Sequence, residues 1–208
     1  MTKNLKFNEK VIIKIYRLTT FLLAPVLPFF LRRRLKRCKE NPHRWNEKLG
    51  FPSEPRPPGK LIWLHAVGLG EVLALRAIIV KLRACSEELQ FLVTSTSLTS
   101  AETLAKNLPT NTIHQFLPLD SPQFATRFFN HWQPDLAIWS EQDLGPGLVH
   151  EAANRDIPQA LINARINDAS AKRRKKAKTL FSSAFKCLSL ISAQDQKTAT
   201  ALFNLGVR

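Results

Sequence analysis

From residue 61 onward, short apolar runs alternate with stretches in which apolar residues recur every three or four positions. A short apolar run bounded by glycine, proline or polar clusters marks a strand buried on both faces, and the intervening spacing is helical. Strands are predicted at 61–66, 89–94, 113–118, 136–139, 159–162 and 187–192. Helices are predicted near 71–85, 99–107, 121–131, 147–155, 171–185 and 195–204. Such alternation predicts an α/β fold, a single Rossmann-like parallel sheet with helices on both faces.

The first forty residues follow another pattern. An amphipathic start leads into Leu18-Thr-Thr-Phe-Leu-Leu-Ala-Pro-Val-Leu-Pro-Phe-Phe-Leu31 and then into the basic run Arg32-Arg33-Arg34-Leu-Lys-Arg37. The uncharged apolar part is about 14 residues, below the roughly 20 that a spanning helix needs. Pro25 and Pro28 weaken a straight helix further. The basic cluster follows the apolar region instead of preceding it, which disfavours a cleaved signal peptide. The pattern predicts a membrane-associated helix lying at the interface, with its cations on anionic headgroups. The alternative is a core-packed helix with a solvated basic end. Residues 1–40 thus form an anchor segment, and 41–60, rich in Pro and Gly, a linker to a globular domain over 61–208.

The chain of 208 residues carries 31 Lys and Arg against 16 Asp and Glu, a formal net charge of +15. This imbalance predicts a polyanionic partner. The densest run, Lys172-Arg173-Arg174-Lys-Lys-Ala-Lys178, has no interleaved aromatics, which counts against single-stranded nucleic acid. It joins Arg32, Arg33, Arg34 and Arg37 in a predicted basic surface for lipid phosphates. Cys38, Cys85 and Cys187 lack any metal-binding spacing; Cys85 and Cys187 read as small core residues in a reducing compartment. The histidines show no ligand spacing either, and no metal site is predicted.

Candidate chemistry gathers just past the predicted strands, where ligands collect in α/β proteins. Leu61-Ile-Trp-Leu-His-Ala-Val-Gly68-Leu-Gly70-Glu71 is a strand, a tight glycine turn and a carboxylate on the first turn of a helix. Helix N-termini favour negative charge, so Glu71 is a candidate general base. A dinucleotide fingerprint fails because its third glycine position holds Leu73, and no Gly-Lys-Ser/Thr marks a P-loop. Ser95 and Thr96, in the hydroxyl-rich segment after the second strand, can donate to an anion or cap the next helix. Glu141 and Asp143 follow the fourth strand and face the same crevice as Glu71. Arg165, after the fifth, can clamp a phosphate or carboxylate.

The order His65-Ala-Val-x-x-Gly-Glu71, a Thr/Ser-rich strand end, Pro118-Leu-Asp120, an acidic loop with Leu-x-Pro, and Asn163-Ala-Arg165 resembles the N-terminal half of 3-deoxy-D-manno-octulosonic acid (Kdo) transferases. These are two-domain GT-B glycosyltransferases of lipopolysaccharide assembly. The resemblance also takes in Arg44-Trp-Asn-Glu-Lys-Leu-Gly50 and Ala193-Gln194 and ends near Leu205-Gly206. It implies an acceptor domain that binds a lipid A precursor at the cytoplasmic face of a bacterial inner membrane. It also implies a separate domain for the donor CMP-Kdo, with no other cofactor. Glu71 falls on the family's catalytic base and Glu141 on its second important glutamate; Gly68, Gly70, Ser95, Thr96, Asp143 and Arg165 fall around the substrate. The pattern departs from the family at Gly68, where a serine is expected, and at Asp143-Leu-Gly-Pro-Gly147 in place of Glu-Leu-Trp-Pro-Asn. The chain stops where the family's interdomain linker begins, so the donor domain is expected elsewhere. The alternative is a non-catalytic membrane-bound module that binds lipid A precursor or partners an intact transferase.

Overall fold

The computed structural model describes residues 5–140, 144–165 and 177–204. Six strands, β1 (Leu61–His65), β2 (Gln90–Ser95), β3 (Thr112–Phe116), β4 (Leu136–Ser140), β5 (Gln159–Ala164) and β6 (Leu190–Ala193), form one sheet in the order β3-β2-β1-β4-β5-β6. Every pairing is parallel, with Leu64 opposite Val93 on one side and Ile138 on the other. The expected single Rossmann-like sheet is therefore present. The last strand starts three residues later than its apolar run predicts, because Cys187 and Leu188 still close the turn of the preceding helix.

Helices α3 (Leu69–Cys85) and α4 (Leu98–Asn107) cover one face; Leu75, Ile79 and Leu104 pack there on Ile62, Leu64, Phe91 and Val93. The opposite face carries α5 (Pro122–Trp132), α6 (Pro146–Asn154), α7 (Lys178–Phe185) and α8 (Gln196–Asn204) around Trp63, Trp139, Phe128 and Phe129. Each of the three buried tryptophans spends its indole N–H on a strand side chain. Trp63 donates to Thr94 Oγ1 at 2.9 Å, Trp132 to Gln115 Oε1 at 2.6 Å and Trp139 to Gln159 Oε1 at 3.0 Å. Paired in this way, large rings fill the core without leaving an orphaned donor.

Residues 41–60 are not a free tether. Trp45–Leu49 form a short 3-10 turn held against the end of β3, and Glu47, wholly buried, is its centre. Arg44 donates to both of its oxygens, at 2.7 and 3.1 Å, while Ser53 and the Phe116 N–H complete the set. Gly50 then turns at φ +80°, where a Cβ would collide with the Phe124 carbonyl. Next door, Glu40 is buried between Lys48 and Arg34, each at 2.6 Å. Composition signalled a linker because it counts prolines; it could not show these charges closing on the sheet.

The N-terminal segment is also more regular than expected. Helices α1 (Phe7–Leu23) and α2 (Leu27–Leu35), joined by a 3-10 turn at Ala24–Val26, make one helical run of 29 residues. Pro25 and Pro28 fall in the first two positions of their segments, where no N–H is required, so the run survives them. It packs on α5, α6 and α7 through buried Ile13, Ala24 and Leu31, the last two in a cluster with Leu49 and Phe124, and through polar groups. Tyr16 Oη donates to Asp120 at 2.7 Å, Arg17 pairs with Glu151 at 2.9 Å and Glu9 with Lys186 at 2.6 Å. A second set of apolar side chains points away: Phe7, Ile15, Leu18, Leu22, Val26 and Phe29 are all more than half exposed. A soluble helix buries such a stripe; this one shows it to the surroundings. Cys85 is exposed, contrary to expectation, while Cys187 is buried.

Two predictions follow from this packing. Removing one member of a buried ion pair leaves the other uncompensated, so Glu47→Gln destabilises the chain by about 3 kcal/mol. A urea midpoint indistinguishable from the parent's refutes this. The second concerns pH. Burial lowers the pKa of His65 to about 4, of His114 to about 3 and of His150 to about 4, with nearby Arg44 and Arg17 adding to the last two. The unfolded chain takes up these protons near the ordinary value of 6.5 and the folded chain does not. Stability is full above about pH 6.5 and falls as the pH drops toward 4. Asp120, raised by desolvation, offsets part of this loss. The melting temperature should decline steadily from pH 7 to 4.5; a flat profile contradicts the assignment.

Candidate functional site

The strand order reverses between β1 and β4, and the chain leaves these neighbours toward opposite faces, into α3 and α6. Two adjacent loops that diverge in this way leave a crevice at the carboxyl ends of the strands. Glu71 stands on the α3 side. Gly68 caps the helix in extended conformation, and Glu71 Oε2 turns back to accept from the Val67 N–H at 3.1 Å. Its Oε1 accepts nothing from the described residues, and Glu71 remains partly exposed. A Cβ at Gly68 would lie 3.0 Å from that oxygen, while one at Gly70 would meet open space. The glycines thus keep the carboxylate close to its own backbone and leave space beside it.

The β4 side is organised by Asp120, whose place here was not read from the sequence as a site. Its carboxylate accepts from the Gly147 and Leu148 N–H groups at 3.0 and 2.8 Å, the first amides of α6, and from Tyr16 Oη. Desolvation raises its pKa; the three donors pull the other way. A side chain at Gly147 would collide with it, and one at Gly145 would crowd it at 3.2 Å. The two glycines that depart from the resemblance therefore make room for this carboxylate. Because Asp120 already occupies the α6 N-terminus, that helix end is not a free anion site.

The remaining predicted residues separate. Ser95 is wholly buried and its hydroxyl is 2.9 Å from His114 Nε2, a contact between neighbouring strands. Thr96 is half-buried, with its carbonyl accepting from Lys48 Nζ at 3.0 Å. The helix cap falls to Ser97, which accepts from the Ser100 N–H, while the Ser100 hydroxyl donates to Val67 O at 2.9 Å and so braces the Glu71 turn. Arg165 stands exposed beyond β5. Arg32, Arg33 and Arg37 are exposed, whereas Arg34 is spent on Glu40. Glu141, Asp143, Lys172, Arg173 and Arg174 lie outside the described residues.

His65, at the end of β1, is a further feature. Its Nδ1 lies 3.1 Å from Thr94 O, which only accepts, so the proton sits there. Nε2 is then a bare acceptor without a partner among the described residues, and burial keeps the ring neutral. No group of three or more His, Cys, Asp or Glu able to hold a metal occurs among the described residues. What the crevice offers is a carboxylate with one uncommitted oxygen, suited to taking a proton from a hydroxyl.

A family profile described as 3-deoxy-D-manno-octulosonic-acid transferase (kdotransferase) matches residues 43–208. The chain is 39% identical over 160 residues to a probable mitochondrial 3-deoxy-D-manno-octulosonic acid transferase of Arabidopsis thaliana, covering 77% of this chain and 36% of that one. It is 33% identical over 194 residues to the transferase of Rickettsia bellii, covering 93% and 46%. With the transferase of Haemophilus influenzae it shares 34% over 164 residues, covering 78% and 38%. It spans less than half the length of each of these relatives. Among solved structures, UDP-GlcNAc 2-epimerase from Neisseria meningitidis matches with a TM-score of 0.51 at 12% identity, over 72% of this chain and 44% of that one, a likeness of fold alone. This chain belongs to the 3-deoxy-D-manno-octulosonic acid transferase family.

Proposed function

We propose that the chain is the acceptor half of a Kdo transferase working at a membrane surface, with Glu71 as general base. The observation that carries the proposal is the uncommitted Oε1 of Glu71 at the strand-order reversal. In transfer from CMP-Kdo, a sugar hydroxyl of the lipid A precursor attacks the anomeric carbon as the bond to cytidine monophosphate breaks. One carboxylate must take the hydroxyl proton, whereas the phosphate leaves as a stable anion without protonation. The donor belongs to a second domain, fused or separate, that closes the other side of the crevice.

The membrane side of the reading rests on α1 and α2. Their polar face is clamped to the body and their apolar face is exposed, the arrangement of a helix lying in the interface plane. By length and composition the run would also suffice to span a bilayer. Its clamps to α5, α6 and α7 favour the in-plane position. Arg32, Arg33 and Arg37 then meet anionic headgroups at the cytoplasmic leaflet.

In the presence of the donor domain and CMP-Kdo, Glu71→Gln should lower the transfer rate by about 10²-fold or more. Acceptor binding should stay within about twofold of the parent. Transfer at the parental rate removes Glu71 as base; parental binding in a chain that supports no transfer at all would favour the non-catalytic module. Leu22→Ser, by removing a leucine from the exposed stripe, should weaken partition onto anionic vesicles about tenfold. Unchanged partition would contradict the in-plane helix.

A further inference from the structure

A groove of about 380 Å³ runs between α1 and α7. Ile12, Ile15, Tyr16 and Thr19 form one wall; Lys178 and Leu180 stand on the other. Its volume lies within the range of small-ligand pockets. Three observations say what kind of molecule fits it. First, Ile15 lines the groove and is also 54% exposed in the apolar stripe of α1, so the groove opens onto the surface assigned to the membrane. Second, Ile12, Ile15 and Leu180 give its walls apolar surface, and the one charge among the described lining residues, Lys178, is a cation. The occupant is therefore an apolar chain carrying negative charge near one end. Third, the ring of Tyr16 forms part of the wall while its hydroxyl holds Asp120, which in turn holds the first amides of α6. One side chain separates the groove from the framework of the crevice.

Resting on the acceptor reading above, we infer that the α1–α7 groove binds one acyl chain of the lipid acceptor. Water is displaced from an apolar surface as the chain enters, which favours the bound state. The lipid is held by its tail along α1, with its phosphorylated head toward Lys178. Docking the tail against Tyr16 couples the acceptor to the element that also positions α6.

The test compares the full chain with Thr19→Trp and Thr179→Trp, which fill the groove from opposite walls and touch no group of the crevice. Affinity is measured for a lipid A precursor, for the same compound with its acyl chains removed, and for anionic phospholipid vesicles free of precursor. Both variants should bind the acylated precursor at least tenfold more weakly. Binding of the de-acylated compound and partition onto vesicles should stay within twofold of the parent. If both variants melt with the parent and keep its affinity for the precursor, the groove proposal falls. Equal parental affinity for the acylated and de-acylated compounds also overturns it and leaves the acceptor reading intact. A matching loss on precursor-free vesicles would assign the groove to bulk lipid instead. Failure of the parent to bind either form of the precursor would overturn the acceptor reading and the groove with it.

Discussion

At Asp120, three parts of the molecule that lie far apart in sequence meet through one carboxylate. It closes the loop after β3, caps α6 and receives the Tyr16 hydroxyl from α1. A partly desolvated carboxylate is tolerated only while several donors face it, so each element depends on the others being in place. The position of α6 decides how the β4 loop enters the crevice, and the position of α1 decides which surface faces outward. Gly145 and Gly147 are the corollary, since side chains there would crowd or collide with the carboxylate.

The sheet was largely legible in the sequence. Strands buried on both faces are rich in apolar residues, and β1 and β4 show this directly. The reversal of strand order was not itself readable, yet the glycine turn before Glu71 pointed to the place. What escaped were contacts between polar residues distant in the chain. Tyr16 reaches Asp120 across 104 positions, and Glu47 reaches the Phe116 amide across 69. Neither residue has a local pattern, because hydroxyl and carboxylate side chains occur mostly on surfaces. Ser95 was placed past the second strand for a related reason: its hydroxyl-rich neighbourhood resembles a loop, but β2 runs through it and its hydroxyl meets His114.

The two faces of α1 connect the fold to the proposed function. Glu9, Tyr16 and Arg17, polar groups that a soluble helix would show to water, are turned inward, each against a named partner. The exposed apolar stripe on its other face is the surface proposed above to meet lipid. A body held in this way cannot rotate freely about α1, so on the membrane reading proposed above its crevice is presented at a fixed attitude to the bilayer. With a membrane lipid as acceptor, as proposed above, that attitude replaces part of the search for substrate.

The same helix has a consequence for biosynthesis. Glu9 pairs with a lysine 177 positions downstream, and Arg17 with a glutamate 134 positions downstream. When α1 leaves the ribosome, its apolar stripe is complete but none of its clamps has been made. On the membrane reading proposed above, the stripe engages a bilayer before the sheet exists, and the rest of the chain folds against a helix already lying on lipid. Order of synthesis then makes α1 a template for the domain that packs on it.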